Sequence, residues 1–309
     1  ETSRYAGSIG DPSRMAANYA GVSGANDSRN DIIIRGNSPL GLLWRLNGIE
    51  IPNPNHFGSL GSTGGPVSIL NNNVLDKSDF MTGAFPAEYG NALAGVFDLQ
   101  MRSGNNEKHE FLGQIGFNGF ELGAEGPLKR KNNSSYLVNY RYSTLGVFNE
   151  LGINVGTGAA VPKYQDLSFK FDLPTQKAGK FTVFGIGGMS NIEVLDKDRD
   201  TTKENLYDGD IRSDGYFSNN MAVVGIGHTY FFNATTFSKI NFSASHSGEK
   251  YEIDTIRDFD EAAIPQYRNN SNQQKYIVDI SINKKFSAKN FLKTGATINF
   301  YNFNYVDSV

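Results

Sequence analysis

The strongest constraint on this chain lies in its last two hundred residues, where one alternating run follows another. Tyr136, Val138, Tyr140 and Tyr142 alternate with Leu137, Asn139, Arg141 and Ser143. Leu167, Phe169, Phe171 and Leu173 alternate with Ser168, Lys170 and Asp172, and Tyr276, Val278, Ile280 and Ile282 with Ile277, Asp279, Ser281 and Asn283. A period of two places each set on one face of a strand. Similar runs at 111–117, 120–124, 181–187, 215–231, 240–244 and 292–300 bring the expected count to about nine strands. Several reach ten residues or more, against the five or six usual in soluble sheets.

The connections say more than the strands. The apolar phase flips between Phe117 and Phe120, and a flip sends every side chain to the other face unless the chain turns there. Asn118-Gly119 sits at the flip, and Asn-Gly is the favoured pair for a two-residue hairpin. Beyond it, short connections (127–134, 174–179, 233–234, 287–290) alternate with long ones (146–163, 193–214, 255–271). An up-and-down membrane barrel has this pattern, with short turns on one side and long loops on the other. A soluble sandwich or meander also predicts alternation within strands, but not of loop lengths. If the chain enters the barrel from the short-turn side, every connection has the right length for its side.

Composition removes several alternatives. There is no cysteine, hence no disulfide, thiolate metal site or cysteine nucleophile. The four histidines, His56, His109, His228 and His246, share no metal spacing and read as ordinary polar residues. A net charge of -3 gives no basic footprint for nucleic acid. No apolar run approaches the roughly 20 residues of a membrane helix. The first ten residues lack a leader's basic start and apolar core, so a leader is expected to have been removed or the chain to be a piece of a longer one. Asp196, Asp198, Asp200, Asp208, Asp210 and Asp214 cluster in one long loop, but their spacing is not that of a calcium loop and Lys197 and Arg199 interleave; a solvated loop is expected. No catalytic set, metal site or cofactor motif can be assembled, which argues against an enzyme.

The first hundred residues have another character. Asp11-Pro12 reads as the start of a short helix. Residues 32–34 and 42–46 read as buried strands, the second closed by Asn47-Gly48. A short helix after Pro66 and strands at 74–81 and 96–101 complete a small α/β unit. The glycines of 83–104 (Gly83, Gly90, Gly95, Gly104) read as places where the chain turns sharply.

Two segments of this unit, DIIIRGNSPLGLLWRLNGIEIPNPNHFG (31–58) and GAFPAEYGNALAGVFDLQMRSG (83–104), resemble the plug domain of TonB-dependent outer-membrane receptors, in the Bacteroidetes type that carries a carboxypeptidase-like regulatory domain upstream. The motif positions are Arg35, Gly36, Asn47, Gly48, Glu88, Tyr89, Gly90 and Gly95. The resemblance implies a plug domain over 1–105. Residues 106–309 are then the first nine or so strands of a barrel of about 22, incomplete in this chain, whose open edges would attract partners. It implies a receptor in the outer membrane of a Gram-negative bacterium that binds and imports a scarce nutrient: a siderophore, vitamin-like compound, oligosaccharide or peptide. A surface receptor or signal transducer of the same fold that does not transport is the alternative. Implied partners are TonB, through a segment upstream of this chain, outer-membrane lipid, the ligand and a surface lipoprotein. Plug carboxylates and barrel arginines commonly pair in this family, which makes Glu88 and Arg141 the expected plug–barrel ion pair.

Overall fold

The computed structural model describes residues 7–8, 10–24, 26–59, 61–116, 119–144, 162–196, 212–257 and 262–309. The chain opens with a short helix, α1 (Pro12–Ala16), capped by Asp11, whose Oδ1 accepts from the Ser13 amide at 2.8 Å. Strands β1 (Val22–Gly24) and β2 (Ile32–Ile34) pair antiparallel. The apolar run of β3 (Leu42–Leu46) is buried at every position, as a strand covered on both faces must be. It turns through Asn47-Gly48, both at positive φ (51° and 88°), into β4 (Ile49–Glu50). Next come β5 (Asn55–His56), β6 (Val67–Ser68), β7 (Asp79–Met81) and β8 (Gly95–Leu99). Strand β8 lies parallel to β3 in a four-stranded sheet of order β4-β3-β8-β7, and β5 pairs with β6. Trp44 stacks on Phe97 at 4.5 Å, and Phe80 covers the same ring at 4.4 Å. Trp44→Ala is expected to destabilise this unit by about 3–5 kcal/mol, the usual cost of emptying a buried aromatic site. Denaturation of the full-length protein followed by a probe in this unit measures it.

Three expectations change here. No helix follows Pro66: Val67–Ser68 pairs with β5 instead, and Ile69 and Leu70 are buried as extended chain. The strand expected at 74–81 shrinks to Asp79–Met81, because Asp76 and Ser78 close a turn through Asp76 Oδ1 and Ser78 Oγ. The glycines of 83–104 divide: Gly83 lies in a bend and Gly90 in a turn, whereas Gly95 and Gly104 do not. None of the four has positive φ; Ala84 (53°) and Asn91 (62°) do. Gly95 lies inside β8, where a Cβ would run into Ile34 and the Met81 carbonyl, and Gly104 lies against the backbone of Tyr136. Those two are glycine for close approach.

The remaining strands form one nine-stranded antiparallel meander in chain order: β9 (Glu110–Gly116), β10 (Gly119–Lys129), β11 (Ser134–Tyr142), β12 (Lys163–Pro174), β13 (Lys180–Val194), β14 (Ser213–Asn233), β15 (Thr236–Ile256), β16 (Ala263–Lys285) and β17 (Phe291–Ser308). In the first hairpin Gly116 pairs with Gly119 and Phe120 with Ile115, so Asn118-Gly119 is not the two-residue turn and Phe120 does not face Phe117. The partner moves by two residues, which preserves the face of every side chain. Phe117 and Asn118 lie outside the described residues, as do 145–161 and 197–211, including the centre of the acidic loop; at its described ends, Asp214 Oδ1 accepts from the Asp196 amide at 2.8 Å and Arg212 pairs with Asp196 at 2.7 Å. The connection expected over 255–271 is only six residues, 257–262. Its supposed loop, Asn269 to Gln274 in particular, is laddered into β15 and β17. A strand with polar residues on both faces lacks the alternation by which strands are read.

Register divides the sheet into two faces. Glu121, Asn139, Arg141 and Asp166 share one face and touch the first unit. Wall residues Leu137, Phe184, Ile186, Met221, Val223 and Ile277 join its hydrophobic core. The opposite face is an apolar band. On β17 it runs from Leu292 to Phe300, eight steps of ~3.4 Å or about 27 Å, close to the ~25 Å outward band of a tilted membrane barrel. Strand β16, at 23 residues, continues well past it.

Candidate functional site

The seat of the first unit on the wall is the candidate site, because the buried polar residues of β10–β12 converge there on the first unit. Its centre is buried. His56, at the end of β5, has no exposed surface, and its Nε2 lies 2.9 Å from Asp166 Oδ2. The ring fits because Gly188 faces it: a Cβ there would lie 2.7 Å from His56 Cε1. Asp166 also receives Arg141, with Nε at 2.9 Å from Oδ1 and Nη2 at 2.8 Å from Oδ2. The same Nη2 donates to the carbonyls of Ser68 (2.7 Å) and Ile69 (3.1 Å). The two cross-strand neighbours Arg141 and Asp166 thus form a neutral pair that presents donors and acceptors to the seated unit. Burial lowers the pKa of His56 more than Asp166 raises it, so the imidazole is neutral and donates through Nε2–H. His56 Nδ1 is buried without a hydrogen-bond partner.

A polar cluster lies beside this centre. Asn71 donates to Glu121 Oε1 (2.9 Å) and Asn139 Oδ1 (2.8 Å), and Arg102 grips Glu125 with two bonds of 2.6 and 2.7 Å. The Phe57 amide donates to Ser190 Oγ at 3.0 Å, Asn219 Nδ2 to the Gly58 carbonyl at 3.0 Å, and Lys170 Nζ to the Met101 carbonyl at 2.6 Å. Toward β16 and β17 the carboxylates belong to the seated unit: Glu50 pairs with Lys275 at 2.7 Å and Glu88 with Lys293. Arg45 lies 3.8 Å from Glu88 and 4.8 Å from the centroid of Tyr89, whose hydroxyl donates to Asp98 at 2.8 Å. Burial and the Asp98 carboxylate raise the Tyr89 pKa, which keeps that donor protonated.

Several cavities border the seat, and two of them open toward its two ends. One of about 650 Å³ opens toward the short turns, lined by Arg45, Glu88, Asp98, Lys170, Lys239 and Asp279 among others. One of about 450 Å³ opens toward the long connections beside Asp11, Arg14, Glu121, Arg141 and Tyr164. On the lumenal face beyond the apolar band stand Phe217, Tyr251 and Tyr267, with ring centroids 6.3 and 5.9 Å apart. Among the described residues no cluster of three potential metal ligands occurs.

The motif residues take different places. Arg35 and Gly36, both at positive φ, form the turn after β2, with the Arg35 guanidinium beside Gly83. Asn47 Oδ1 accepts from the Met101 amide at 2.9 Å, tying the turn at Gly48 to the chain just past β8. Glu88 and Tyr89 belong to the Arg45 cluster, Gly90 borders the larger cavity and Gly95 is inside β8. Glu88 and Arg141 are not brought together: Glu88 sits between Arg45 and Lys293, and Arg141 is taken up by Asp166. Sequence reading missed His56, Asp166, Asn71 and Lys275. A signal for Asp166 existed, since it occupies the polar face of its strand, but only the register puts it beside Arg141.

No family model and no curated protein matches this chain. Solved structures do. The pyoverdine outer membrane receptor FpvA of Pseudomonas aeruginosa PAO1, bound to pyoverdine, matches with a TM-score of 0.57 at 14% identity over 86% of this chain and 40% of its own. The ferric citrate transporter FecA in its unliganded form matches with a TM-score of 0.56 at 10% identity over 93% and 54%. The chain therefore spans about half the length of these structures or less. At such identities the likeness is one of fold: a small α/β plug followed by long meander strands of an outer-membrane barrel.

Proposed function

We propose that residues 1–105 are the plug, and 106–309 the leading wall, of a TonB-dependent outer-membrane receptor that binds and imports a scarce nutrient. The observation that carries the reading is a wall with two chemistries: an apolar band outside, and inside a polar face that seats a separate small sheet through the His56–Asp166–Arg141 centre. A soluble meander has no reason to bury a histidine–carboxylate–guanidinium set between two units. The role is one of binding and passage, with no bond chemistry. The aromatic face at Phe217, Tyr251 and Tyr267 and the cavity beside Arg14 are where ligand meets wall and plug. TonB acts on a segment upstream of this chain, after the regulatory domain of the Bacteroidetes type, and a surface lipoprotein assists capture. Siderophores, vitamin-like compounds, oligosaccharides and peptides all fit a site of this polarity.

The test uses the full-length protein in a Gram-negative host. It is expected to fractionate with the outer membrane, to require detergent for extraction, and to accumulate its ligand only when TonB is present. Ligand binding without TonB-dependent accumulation selects the non-transporting receptor instead. Extraction in detergent-free buffer overturns both.

A further inference from the structure

The four short turns carry a charge pattern that the seat does not use. Residues 128–134, 174–180, 231–238 and 284–292 contain no aspartate or glutamate. They contain Lys129, Arg130 and Lys131 in the first turn, Lys177 in the second, and Lys284, Lys285 and Lys289 in the fourth, all exposed. None of these seven forms an ion pair among the described residues, whereas Lys180 is paired with Asp172. The other end of the strands differs in sign and in pairing. There Arg212 is held by Asp196, Arg268 by Glu252 and Asp254, and Lys250 by Glu252. The barrel strands thus have one neutralised, carboxylate-rich end and one end of unpaired cations.

The unpaired cations lie where the apolar band stops. Lys284 follows Ile282 on the outward face of β16, and its Nζ sits 4.7 Å above the Phe286 ring. Phe232, Phe286, Leu292 and Leu128 are exposed at the same end of the strands, whereas Phe231 and Phe291 take lumenal positions of the register. An aromatic belt of this kind marks the level of lipid headgroups, and long basic side chains beside it lay their stems on the apolar surface and lift their charge to that level. Clustered Lys and Arg at a membrane edge attract anionic lipid.

We propose that this rim binds the phosphate groups of anionic phospholipids in the leaflet at the short-turn end, which orders a shell of such lipids around the wall under β10–β17. The proposal rests on the membrane-barrel reading above. The cations are spread over three turns along the rim of the wall, Lys284 in the outward phase of its strand and Lys285 in the lumenal one, so they suit several headgroups side by side better than one free anion.

The test compares phosphatidylglycerol with phosphatidylcholine bound to the purified full-length protein in mixed micelles, counted by native mass spectrometry. Phosphatidylglycerol is expected to bind at least about fivefold more tightly, roughly the effect of one cation near an anionic surface. The preference should fall steeply in 0.5 M salt, about 4 Å of screening length being left there. It should vanish in K129Q/R130Q/K131Q/K284Q/K285Q/K289Q and persist in K250Q at the other end. The salt series on the unaltered protein keeps the test decisive if the sixfold variant misfolds. Equal binding of the two lipids overturns the proposal. So does a preference that survives the substitutions, or one that inorganic phosphate abolishes at matched ionic strength. A protein that never enters the micelles sinks the barrel reading itself; one that enters without headgroup preference sinks only this inference.

Discussion

Arg141→Ala is expected to unseat the plug locally. Asp166 is 1% exposed in its side chain and would be left beside a neutral histidine with no cation in contact. Removing one partner of a buried pair costs about 3–5 kcal/mol, because the remaining charge stays desolvated. The Ser68 and Ile69 carbonyls lose their donor at the same time. The 309 residues contain no cysteine, so Ser68→Cys gives a single reactive site in this region. In the full-length protein its labelling rate reports how often the seat opens, and it should rise by a factor of about 10² or more. Arg141→Lys should fall between, since lysine keeps the charge but cannot fork between a carboxylate and two carbonyls. Replacing Arg141 and Asp166 together by leucine should cost less than the sum of the single changes. Unchanged labelling in Arg141→Ala means the contact is incidental.

How much of this was legible beforehand differs between wall and seat. Strand alternation at 136–142, 167–173 and 276–282 gave the right faces, because the set turned away from the first unit is apolar and the set turned toward it is largely polar. It failed where both faces are polar, in Asn269 to Gln274, although Asn269 and Ser271 are buried, because the pattern depends on a difference in polarity between the faces. Loop-length alternation held on the short-turn side, where tight turns must carry Gly, Asn or Pro. In the plug, Asp11, Asn47 and Gly48 announced their caps and turns, since such signals are local. His56 announced nothing. Its role comes from Asp166, 110 positions away, and from the room left by Gly188. The expected Glu88–Arg141 pair was a reasonable match of charges, but strand register gave Arg141 a nearer carboxylate and Glu88 two nearer cations. Pairings across a domain interface are set by register and docking, and neither is written in any one stretch.

The second large effect is a loss of plug seating in acid, and its sign follows from His56. Asp166 on β12 and Arg141 on β11 face the ring with opposite charges, Tyr164 lies 4.8 Å away, and Phe57 follows it on the plug. Burial lowers the seated pKa, while a released His56 would titrate near ~6.5. Below that value the released plug takes up a proton that the seated plug refuses. The free energy of seating is therefore fully present above pH ~6.5 and declines as pH falls, by up to about 1.4 kcal/mol per pH unit, until the seated pKa is reached. Geometry points the same way: a proton on the buried Nδ1 would find no acceptor. Labelling of Ser68→Cys, corrected for thiol ionisation, should thus accelerate between pH 7 and pH 5. His56→Gln keeps a donor toward Asp166 but does not titrate, so in it the acceleration should disappear. An acceleration that persists in His56→Gln assigns the acid sensitivity to another group, and tighter seating at pH 5 would contradict a neutral His56.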